Sequence, residues 1–387
     1  MVPPDTSSEV PLKDSDGFMS EAHGSPYVLS LHVLGTSSAK PTRGRSVSGS
    51  YLMTPGGAVL IDCGEGMQER ISIHNRWLRR IGSEERTRLS RIRAVLLTHG
   101  HLDHCWGLLP MLHSMDQDGR TAPLTIHGPT SKAALRWVEE GHNEAPSLDS
   151  GIHPGDLAIQ FDWWRRNGGK EGTFRFDVEW NLHPVDDIGL DGLEVLNLDG
   201  TKIHAFHTDH GIPSVAYRVR TPSIPGRFNI ENARESGLDE TSIRNIAKDS
   251  ESDEHRGASR PERTLILSGD TTVNVPSFNE SIGPVDILVH EATFDDAHEK
   301  KASDYGHSTA RQAAQVGLEI GARLVALNHF SSRFQDLSHL GDEASEVHPN
   351  CHLLEDGDRL QIHRDGMIRV DRRTTDAWVP VLDLELE

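Results

Sequence analysis

Short apolar runs that end in polar, ligand-type residues are the main feature of the hydrophobic pattern. Four runs have the length and the aliphatic composition of buried strands, and a histidine or an acidic residue follows each one. They are 94–97 before His99, 265–269 before Asp270, 287–289 before His290 and Glu291, and 324–328 before His329. One such ending is common, but four together predict that these residues meet at one edge of a sheet.

The same pattern predicts the other elements of a mixed α/β chain. Alternating positions and turn residues predict strands over 27–34, 46–53, 58–61, 124–127, 193–196, 201–206 and 215–219. Helices are predicted over 67–81, from the residues after His104 to Leu112, and over 308–321. Small residues share one face of the last helix, which suits close packing on a sheet, and Ser308 is its expected N-cap.

Composition predicts one large domain with appended and inserted segments. Residues 1–26 are rich in Pro, Ser and acidic residues and are expected to be a disordered tail. The domain is expected over 27–371, with an insert at 143–178 and an arm-like polar segment at 221–262, and a tail over 372–387 follows it. The insert carries two tryptophans and two arginines in succession. It is either a lid with a stacking surface or a loop packed on the core.

The densest group of ligand-type side chains lies directly after the first run, in the sequence THGHLDH (98–104). His99, His101, Asp103 and His104 fall within six positions on a loop. Imidazole and carboxylate are the ligands of zinc sites that keep a position open for water. The spacing allows His99 and His101 to reach one metal and Asp103 and His104 to reach a second. A solvated histidine-rich loop is the weaker interpretation, because a buried strand leads directly into the group.

Two further positions are left open by the residues alone. Asp62 follows the strand 58–61 and either accepts a hydrogen bond from a metal-binding histidine or caps a helix. His207 and His210 both lie between two predicted strands, and their spacing does not choose between them as ligands.

The charge and cysteine content limit the class of partner and compartment. The formal net charge is -20, so the chain repels a phosphate backbone unless basic residues are concentrated locally. Three widely spaced cysteines without a CxxC pair indicate a reducing compartment, and we expect a cytoplasmic protein. No apolar run approaches the ~18 residues of a membrane span.

The THGHLDH stretch resembles the His-x-His-x-Asp-His signature of the metallo-β-lactamase fold superfamily. Other stretches resemble its ribonuclease Z branch: LGTSSAKPTRGR (34–45), LIDCGEGMQ (60–68), HGIPSVAYR (210–218), SGDT (268–271), HEATF (290–294), DYGHS (304–308) and NHFSSRF (328–334). This resemblance implies a four-layer αβ/βα sandwich with a two-zinc hydrolytic centre at its edge.

The resemblance also implies individual roles. One Zn²⁺ would be held by His99, His101 and His210, the second by Asp103, His104 and His329, and Asp270 would bridge them; Mn²⁺ or Fe²⁺ would also fit such ligands. Asp62 would orient a ligand. Asp103, His307 and Glu291 would be catalytic, the last two as a proton-transfer pair at the leaving group.

The implied activity is removal of the 3′ trailer of precursor tRNA by metal-hydroxide attack on a phosphodiester, by a homodimeric endoribonuclease. Three departures from the family pattern bear on the substrate. The arm becomes acidic over 239–257, the segment 143–178 has no recognised counterpart, and the expected arginine-asparagine pair reads Arg45-Ser46. The alternative is therefore a hydrolase with the same site that acts on small phosphodiesters, sulfate esters or acyl esters.

Overall fold

Two β-sheets face each other, and helices cover the outer face of each, in the computed structural model of the chain. It describes residues 27–142, 144–167, 174–248, 254–273 and 284–386. The predicted N-terminal tail lies outside these residues. The arrangement has four layers, helix, sheet, sheet and helix, as the sequence predicted.

The strands, in chain order, are β1 Tyr27–Gly35, β2 Ser37–Ser38, β3 Gly49–Thr54, β4 Gly57–Ile61, β5 Ile92–Leu96, β6 Leu124–Thr130, β7 Val178–Pro184, β8 Leu193–Leu198, β9 Thr201–His207, β10 Val215–Arg220, β11 Thr264–Leu267, β12 Val285–Glu291, β13 Ala322–Asn328, β14 Phe330–Ser331, β15 Cys351–Leu353, β16 Arg359–His363, β17 Ile368–Arg373 and β18 Trp378–Leu384. The helices are α1 Met67–Arg80, α2 Leu102–Cys105, α3 Leu108–Gln117, α4 Lys132–Glu139, α5 Leu157–Asn167, α6 Ile230–Glu235, α7 Glu240–Lys248, α8 Glu299–Asp304, α9 Ala310–Glu319 and α10 Ser338–Ser345. Among the described helices, none is both long enough and apolar enough to cross a membrane.

The strand order brings the parallel part of each sheet to a common edge. The first sheet runs β18-β17-β16-β1-β3-β4-β5-β6-β7, and the second runs β15-β13-β12-β11-β10-β9-β8. Strands β4 to β7 are parallel to one another, as are β11, β12, β13 and β15. The carboxyl ends of parallel strands share an edge, and open α/β sheets usually bind ligands there.

Strand β5 shows why the apolar runs have no polar face. Its Ala94 and Leu96 side chains lie in the core between the two sheets, whereas Val95 and Leu97 pack under the helices of the first sheet. Both faces are therefore buried, which a continuous apolar run allows. On the second sheet the covering helices are α9 and α10.

Helix α9 confirms the predicted small-residue face but not the predicted cap. Ala310, Ala313 and Ala314 are buried against the second sheet, and a Cβ on Gly317 would lie 2.1 Å from Val325 Cγ2. The N-cap is Thr309, whose hydroxyl accepts from the Gln312 N–H in a reciprocal capping box. The expectation of Ser308 as the cap is wrong, because its hydroxyl instead donates to the Thr271 carbonyl at 2.7 Å.

The C-terminal end of the domain differs from the sequence-based expectation. Residues 372–387 were expected to be a tail, but β18 pairs with β17 along the edge of the first sheet. Trp378 of β18 contacts the Trp77 ring edge-to-face, with centroids 4.7 Å apart. Alternation in β18 is interrupted by Pro380 next to a bulge, which hides the strand from a pattern search.

The insert and the arm both contain helices that the sequence pattern did not predict. Helix α5 of the insert packs on the first sheet through Leu157 and Phe161, as the packed-on-core interpretation expects. Asp162 pairs with both Arg165 and Arg166, so it offsets one of the two positive charges of this basic pair within its own helix. The arm carries α6 and α7, and the centre of its predicted acidic run, 249–253, lies outside the described residues.

Candidate metal centre

Seven side chains from three strand ends and one turn converge at the common edge of the two sheets. They come from the loop after β5, the turn after β9, the end of β11 and the end of β13. A bond from the Val215 N–H to the Thr98 carbonyl (2.9 Å) joins the sheets beside them. We call these side chains the edge cluster: His99, His101, Asp103, His104, His210, Asp270 and His329.

The first half of the edge cluster contains three imidazoles and one carboxylate. His101 Nδ1 lies 3.0 Å from His99 Nε2 and 3.0 Å from His210 Nε2. Asp270 Oδ2 lies 3.7 Å from His99 Nε2 and 3.6 Å from His210 Nε2. The four ligand atoms are close enough together to hold one cation.

The second half shares Asp270 with the first. His104 Nε2 and His329 Nε2 are 3.1 Å apart, and His329 Nε2 lies 3.4 Å from Asp103 Oδ2. The two oxygens of Asp270 divide between the rings, with Oδ2 3.4 Å from His104 Nε2 and Oδ1 3.3 Å from His329 Nδ1. Asp270 therefore lies between the two groups of ligands.

Hydrogen bonds outside the edge cluster fix the tautomers of its histidines. Asp62 Oδ2 accepts from His104 Nδ1 at 2.8 Å, and the Gly306 carbonyl accepts from His210 Nδ1 at 2.6 Å. The Thr98 hydroxyl donates to Asp62, so its oxygen is left to accept from His99 Nδ1 at 3.1 Å. In the neutral form each of these rings carries its one proton on Nδ1, which leaves the lone pair of Nε2 directed inward.

The same logic applies to His329 and shows that the arrangement fits a cation. The Thr293 hydroxyl donates to the His329 carbonyl, so its oxygen accepts from His329 Nδ1 at 3.0 Å. The Nε2 atoms of His104 and His329 then face each other at 3.1 Å, so a proton or a metal ion must lie between them to prevent the repulsion of two lone pairs. Imidazole and carboxylate donors at these separations fit divalent zinc.

The pKa shifts of the edge-cluster residues show how charge is distributed among its histidines and carboxylates. Burial lowers the pKa of His101 to about 4 and also lowers the pKa of His99. Burial likewise opposes ionisation of Asp270, but His329 and His104 outweigh it and hold the pKa of that carboxyl well below its usual range. Burial also lowers the pKa of His104, but Asp270, Asp62 and Asp103 outweigh it and hold that pKa well above its usual value. The carboxylates are thus charged, and His104 supplies positive charge beside them while His99 and His101 stay neutral.

Two residues of the site have left-handed backbone conformations. Asp62 has φ of 59° and His329 has φ of 58°. Non-glycine residues in this region cost of order 1–3 kcal/mol each, and such strain concentrates at functional sites. Here it turns the Asp62 and His329 side chains into the edge cluster from strand ends.

A second pair of side chains lies beside the edge cluster. His307 Nδ1 is 2.8 Å from Glu291 Oε1, and Glu291 is fully buried at the end of β12. Burial lowers the pKa of His307, but Glu291 and Asp270 outweigh it and raise the pKa to about 9. The His307 ring lies next to the rings of His210 and His329, with centroids 4.8 and 5.7 Å away. The pair offers a protonated imidazole at the edge of the site.

The structure distinguishes between the candidate roles that the sequence left undecided for several residues. His210 lies in the edge cluster, whereas the side chain of His207 is exposed at the end of β9. His290 also ends an apolar run, but it is fully buried and its Nδ1 donates to the Glu291 carbonyl at 2.7 Å. Asp62 orients His104, and Gly66 rather than Asp62 precedes helix α1 as its N-cap.

Three supporting contacts were not predicted from the sequence. They are the hydroxyls of Thr98 and Thr293 and the N–H of Ala39, which donates to Asp103 Oδ2 at 2.6 Å. Thr98 could have been suspected, because it directly precedes His99. Ala39 and Thr293 lie in two of the stretches that resemble the family, but the sequence does not show these contacts, since both residues reach the ligands only through the pairing of β2 with β14 and the turn after β12.

Comparisons with known proteins agree with this geometry. The profile of the metallo-beta-lactamase superfamily matches residues 43–218. The chain is 32% identical to Ribonuclease Z of Myxococcus xanthus, covering 82% of this chain and 92% of that protein. It is 30% identical to Ribonuclease Z of Methanopyrus kandleri, covering 87% and 99%. The short form of human tRNase Z has the same fold, with 22% identity, a TM-score of 0.54, and coverage of 86% of this chain and 99% of that chain.

Proposed function

Because the chain belongs to the ribonuclease Z family, we propose that it removes the 3′ trailer of precursor tRNA as a metal-dependent endoribonuclease. Membership of this family and the metallo-β-lactamase fold make it a metal-dependent hydrolase. The observation that carries the proposal is the position of the His307–Glu291 pair beside a set of converging ligands. Cleavage of a phosphodiester needs both a centre of positive charge and a proton donor for the leaving oxygen.

The metal assignment is part of the proposal. Two zinc ions would be held as the resemblance implies, one by His99, His101 and His210 and the other by Asp103, His104 and His329, with Asp270 shared; Mn²⁺ or Fe²⁺ would suit the same donors. Bound zinc lowers the pKa of a coordinated water to about 7 and offsets charge on phosphorus. Nearby, Asp62, Thr98 and Thr293 keep the ligand rings in orientation, as their hydrogen bonds suggest.

His307 is proposed as the general acid for the departing ribose oxygen. With a pKa of about 9 it keeps its proton at neutral pH, and Glu291 holds the ring through Nδ1, which leaves Nε2 to face the substrate. His307 Nδ1 also lies 3.9 Å from Asp270, within reach of a metal at that carboxylate. The shorter contact with Glu291 favours the proton-transfer role. General acid assistance contributes about 10²–10⁴-fold to such a step.

A rim of basic side chains supports an RNA substrate despite the net charge of -20. Exposed Lys40 and Arg43 follow Ala39, whose N–H contacts Asp103. On the other side, Arg333 and Lys301 lie over the Phe294 ring at 5.1 and 6.0 Å, next to Thr293 and the His307 pair. Local concentration of cations around an acidic protein's site attracts a phosphate backbone.

The alternative substrate class, small phosphodiesters or other esters, is favoured by one observation. The insert packs directly on the metal-binding loop, since Gln160 Nε2 donates to the Gly100 carbonyl at 2.5 Å, so it narrows access from that side. The basic rim lies around other parts of the cluster. We therefore rank precursor tRNA first.

The proposal also includes a homodimeric assembly and a cytoplasmic location. A homodimer, in which the arm of one subunit serves the site of the other, would agree with the exposure of Leu102 and Trp106, which are 56% and 51% accessible beside the metal loop. Cys63, Cys105 and Cys351 are free thiols, which suits the reducing cytoplasm. Sedimentation at several concentrations would test the dimer.

The test of the proposed activity is cleavage by the purified, zinc-loaded chain of a 3′-extended precursor tRNA, with a chromogenic phosphodiester in parallel. We expect a single cut next to the discriminator base, and its loss in His307→Ala at unchanged metal content. Turnover of the small ester without any cut in the tRNA would overturn the RNA assignment and support the alternative.

A further inference from the structure

The insert places one turn, 153–155, directly against the metal-binding loop. A Cβ on Gly100 would lie 1.9 Å from the Gly155 carbonyl oxygen, so the two backbones are in contact where a side chain would not fit. Gln160 holds the same Gly100 carbonyl from helix α5, and Cys105 Sγ donates to Gln160 Oε1 at 3.3 Å. The turn therefore has a defined position relative to His99 and His101.

The other side of the turn is anchored as firmly. The fully buried Asp156 accepts from the Thr130 hydroxyl at 2.6 Å and from the Ser131 N–H at 2.9 Å. Leu157 is fully buried under the first sheet. The contacts of Gly155, Asp156 and Gln160 thus hold the chain that directly follows His153 in place, so its side chain does not depend on a loose loop for its position.

His153 presents an exposed imidazole next to a ligand of the edge cluster. Its ring centroid lies 6.5 Å from that of His101, with the planes at 77°. The ligand rings next to His101 lie closer to it, with centroids at 4.8 and 4.9 Å, so His153 lies just outside the ligands. It is well placed to meet the substrate rather than a metal.

The turn also fixes which nitrogen His153 offers. The Gly155 N–H donates to His153 Nδ1 at 2.9 Å, and an N–H group only donates. The neutral ring therefore carries its proton on Nε2. Because a protonated ring also has a proton there, Nε2 is a hydrogen-bond donor in either state, and its use does not require a change of ionisation.

We propose that His153 is a substrate-binding residue whose Nε2–H donates to a non-bridging oxygen of the phosphate adjacent to the scissile one. The inference rests on the proposed function, since it needs a phosphodiester chain at the edge cluster. It gives the insert a direct part in substrate binding on the side of His101, whereas His307 lies beside His210 and His329. A donor to a charged oxygen is recognised by the phosphate and not by the base, so it carries no sequence preference.

The test compares three variants of the full, zinc-loaded chain on precursor tRNA. His153→Ala removes the donor, and His153→Gln returns an N–H at a similar reach. His142→Ala is the matched control, because His142 is another exposed histidine close to the insert, where it pairs with Glu140 and stacks on Trp137. We expect kcat/KM to fall about 10- to 100-fold in His153→Ala, to recover in part in His153→Gln, and to stay unchanged in His142→Ala.

A substrate modification identifies the contacted phosphate. Precursors that each carry one neutral methylphosphonate in a 2′-deoxy linkage are compared with the matched 2′-deoxy phosphates. At one linkage next to the cleavage site, the methylphosphonate should lower kcat/KM of the wild type about as much as the substitution His153→Ala does. The same methylphosphonate should leave kcat/KM of the His153→Ala variant unchanged. Equal sensitivity of both proteins at every linkage would contradict the contact.

Two further readouts separate binding from structural damage and from failure of the proposed function. Metal content and the thermal unfolding midpoint of His153→Ala should match the wild type, and a loss of either would assign the residue a structural role instead. If the wild type cleaves only small diesters, the tRNA proposal fails. The same variants are then compared on a dinucleotide with a flanking phosphate, where an undiminished kcat/KM in His153→Ala overturns the His153 proposal.

Discussion

Two buried clusters of histidines and carboxylates lie in the same molecule and differ in what neutralises them. The first is the edge cluster. The second, which we call the Glu85 cluster, lies between β1, α1 and β16 and contains Ser30, His32, His74, Glu85, Arg359 and Asp371. Most residues of both clusters are buried, and both clusters bring two imidazoles within 3.1 Å of each other.

The Glu85 cluster contains its own permanent cation. The Arg359 guanidinium donates to Glu85 with one nitrogen and to Asp371 with another, and it lies 4.5 Å over the Trp378 ring. In the edge cluster, Asp270 and Asp103 lie instead 3.4 Å from the Nε2 atoms of His104 and His329, and an imidazole carries no permanent charge. A closed set of ion pairs has a structural role, whereas a cluster that lacks a fixed cation is built to take one from solution.

The largest expected effect comes from removing the carboxylate shared by both halves of the edge cluster. In Asp270→Ala we expect metal content to fall from two ions per chain to one or none, and precursor cleavage to fall more than about 10³-fold, because metal polarisation contributes several kcal/mol. Elemental analysis and single-turnover assays measure both. A variant that keeps both ions would show that Asp270 does not bridge them.

The next effect concerns the His307–Glu291 pair, where the cation is an imidazolium. His307→Ala should lower kcat by about 10²–10⁴-fold without changing metal content. Since Glu291 raises the pKa of His307 to about 9, the acid form is complete at neutral pH and is lost as pH rises through 9. Activity should therefore fall above that pH, and in Glu291→Gln the fall should begin at lower pH. A pH–rate profile with no alkaline limb would contradict the general-acid role.

A substitution in the Glu85 cluster should lower the free energy of unfolding and leave the catalytic activity of the folded protein unchanged. Glu85→Gln leaves Arg359 with less buried negative charge, and breaking such a pair costs about 3–5 kcal/mol of unfolding free energy. Burial raises the pKa of Glu85, but His32 and Arg359 lower it well below its usual value. Its stabilisation is therefore complete above pH 4.5 and is lost as pH falls further, so the variant should show a flatter acid dependence.

Urea unfolding at pH 7 and at pH 4 measures this difference, and metal content of the folded variant serves as the control. Equal acid sensitivity in the variant and the wild type would contradict the assignment of the shift to Glu85. A loss of bound metal would show that the two clusters are coupled.

The smallest effect is expected at the carboxylate that supports the edge cluster from outside. Asp62 binds no metal in this account, but it orients His104 and Thr98. Asp62→Asn should weaken metal affinity by about 10- to 100-fold, as is usual for such supporting residues. Competition with a fluorescent chelator measures the affinity, and an unchanged value would mean that the His104 ring is held by its other contacts.

The two clusters also differ in whether they could be predicted from the sequence. The edge cluster was predictable because each ligand follows a buried strand and the parallel strands end at one edge, with only His207 and His210 needing the family resemblance. The Glu85 cluster was not, since Ser30, Glu85 and Arg359 lie far apart in sequence and no local pattern joins them. The proposed role of His153 was equally hidden, because it depends on the contact of Gly155 with Gly100 across 55 positions.

The metal content of the wild-type chain tests most directly whether the edge cluster holds two metal ions. The protein is stripped with chelator, reloaded with zinc, and analysed by inductively coupled plasma mass spectrometry, with Asp270→Ala as the reference. We expect two tightly bound ions per wild-type chain, and one or none in the variant. Wild-type protein that folds, retains no divalent ion and still cleaves its substrate would contradict the account.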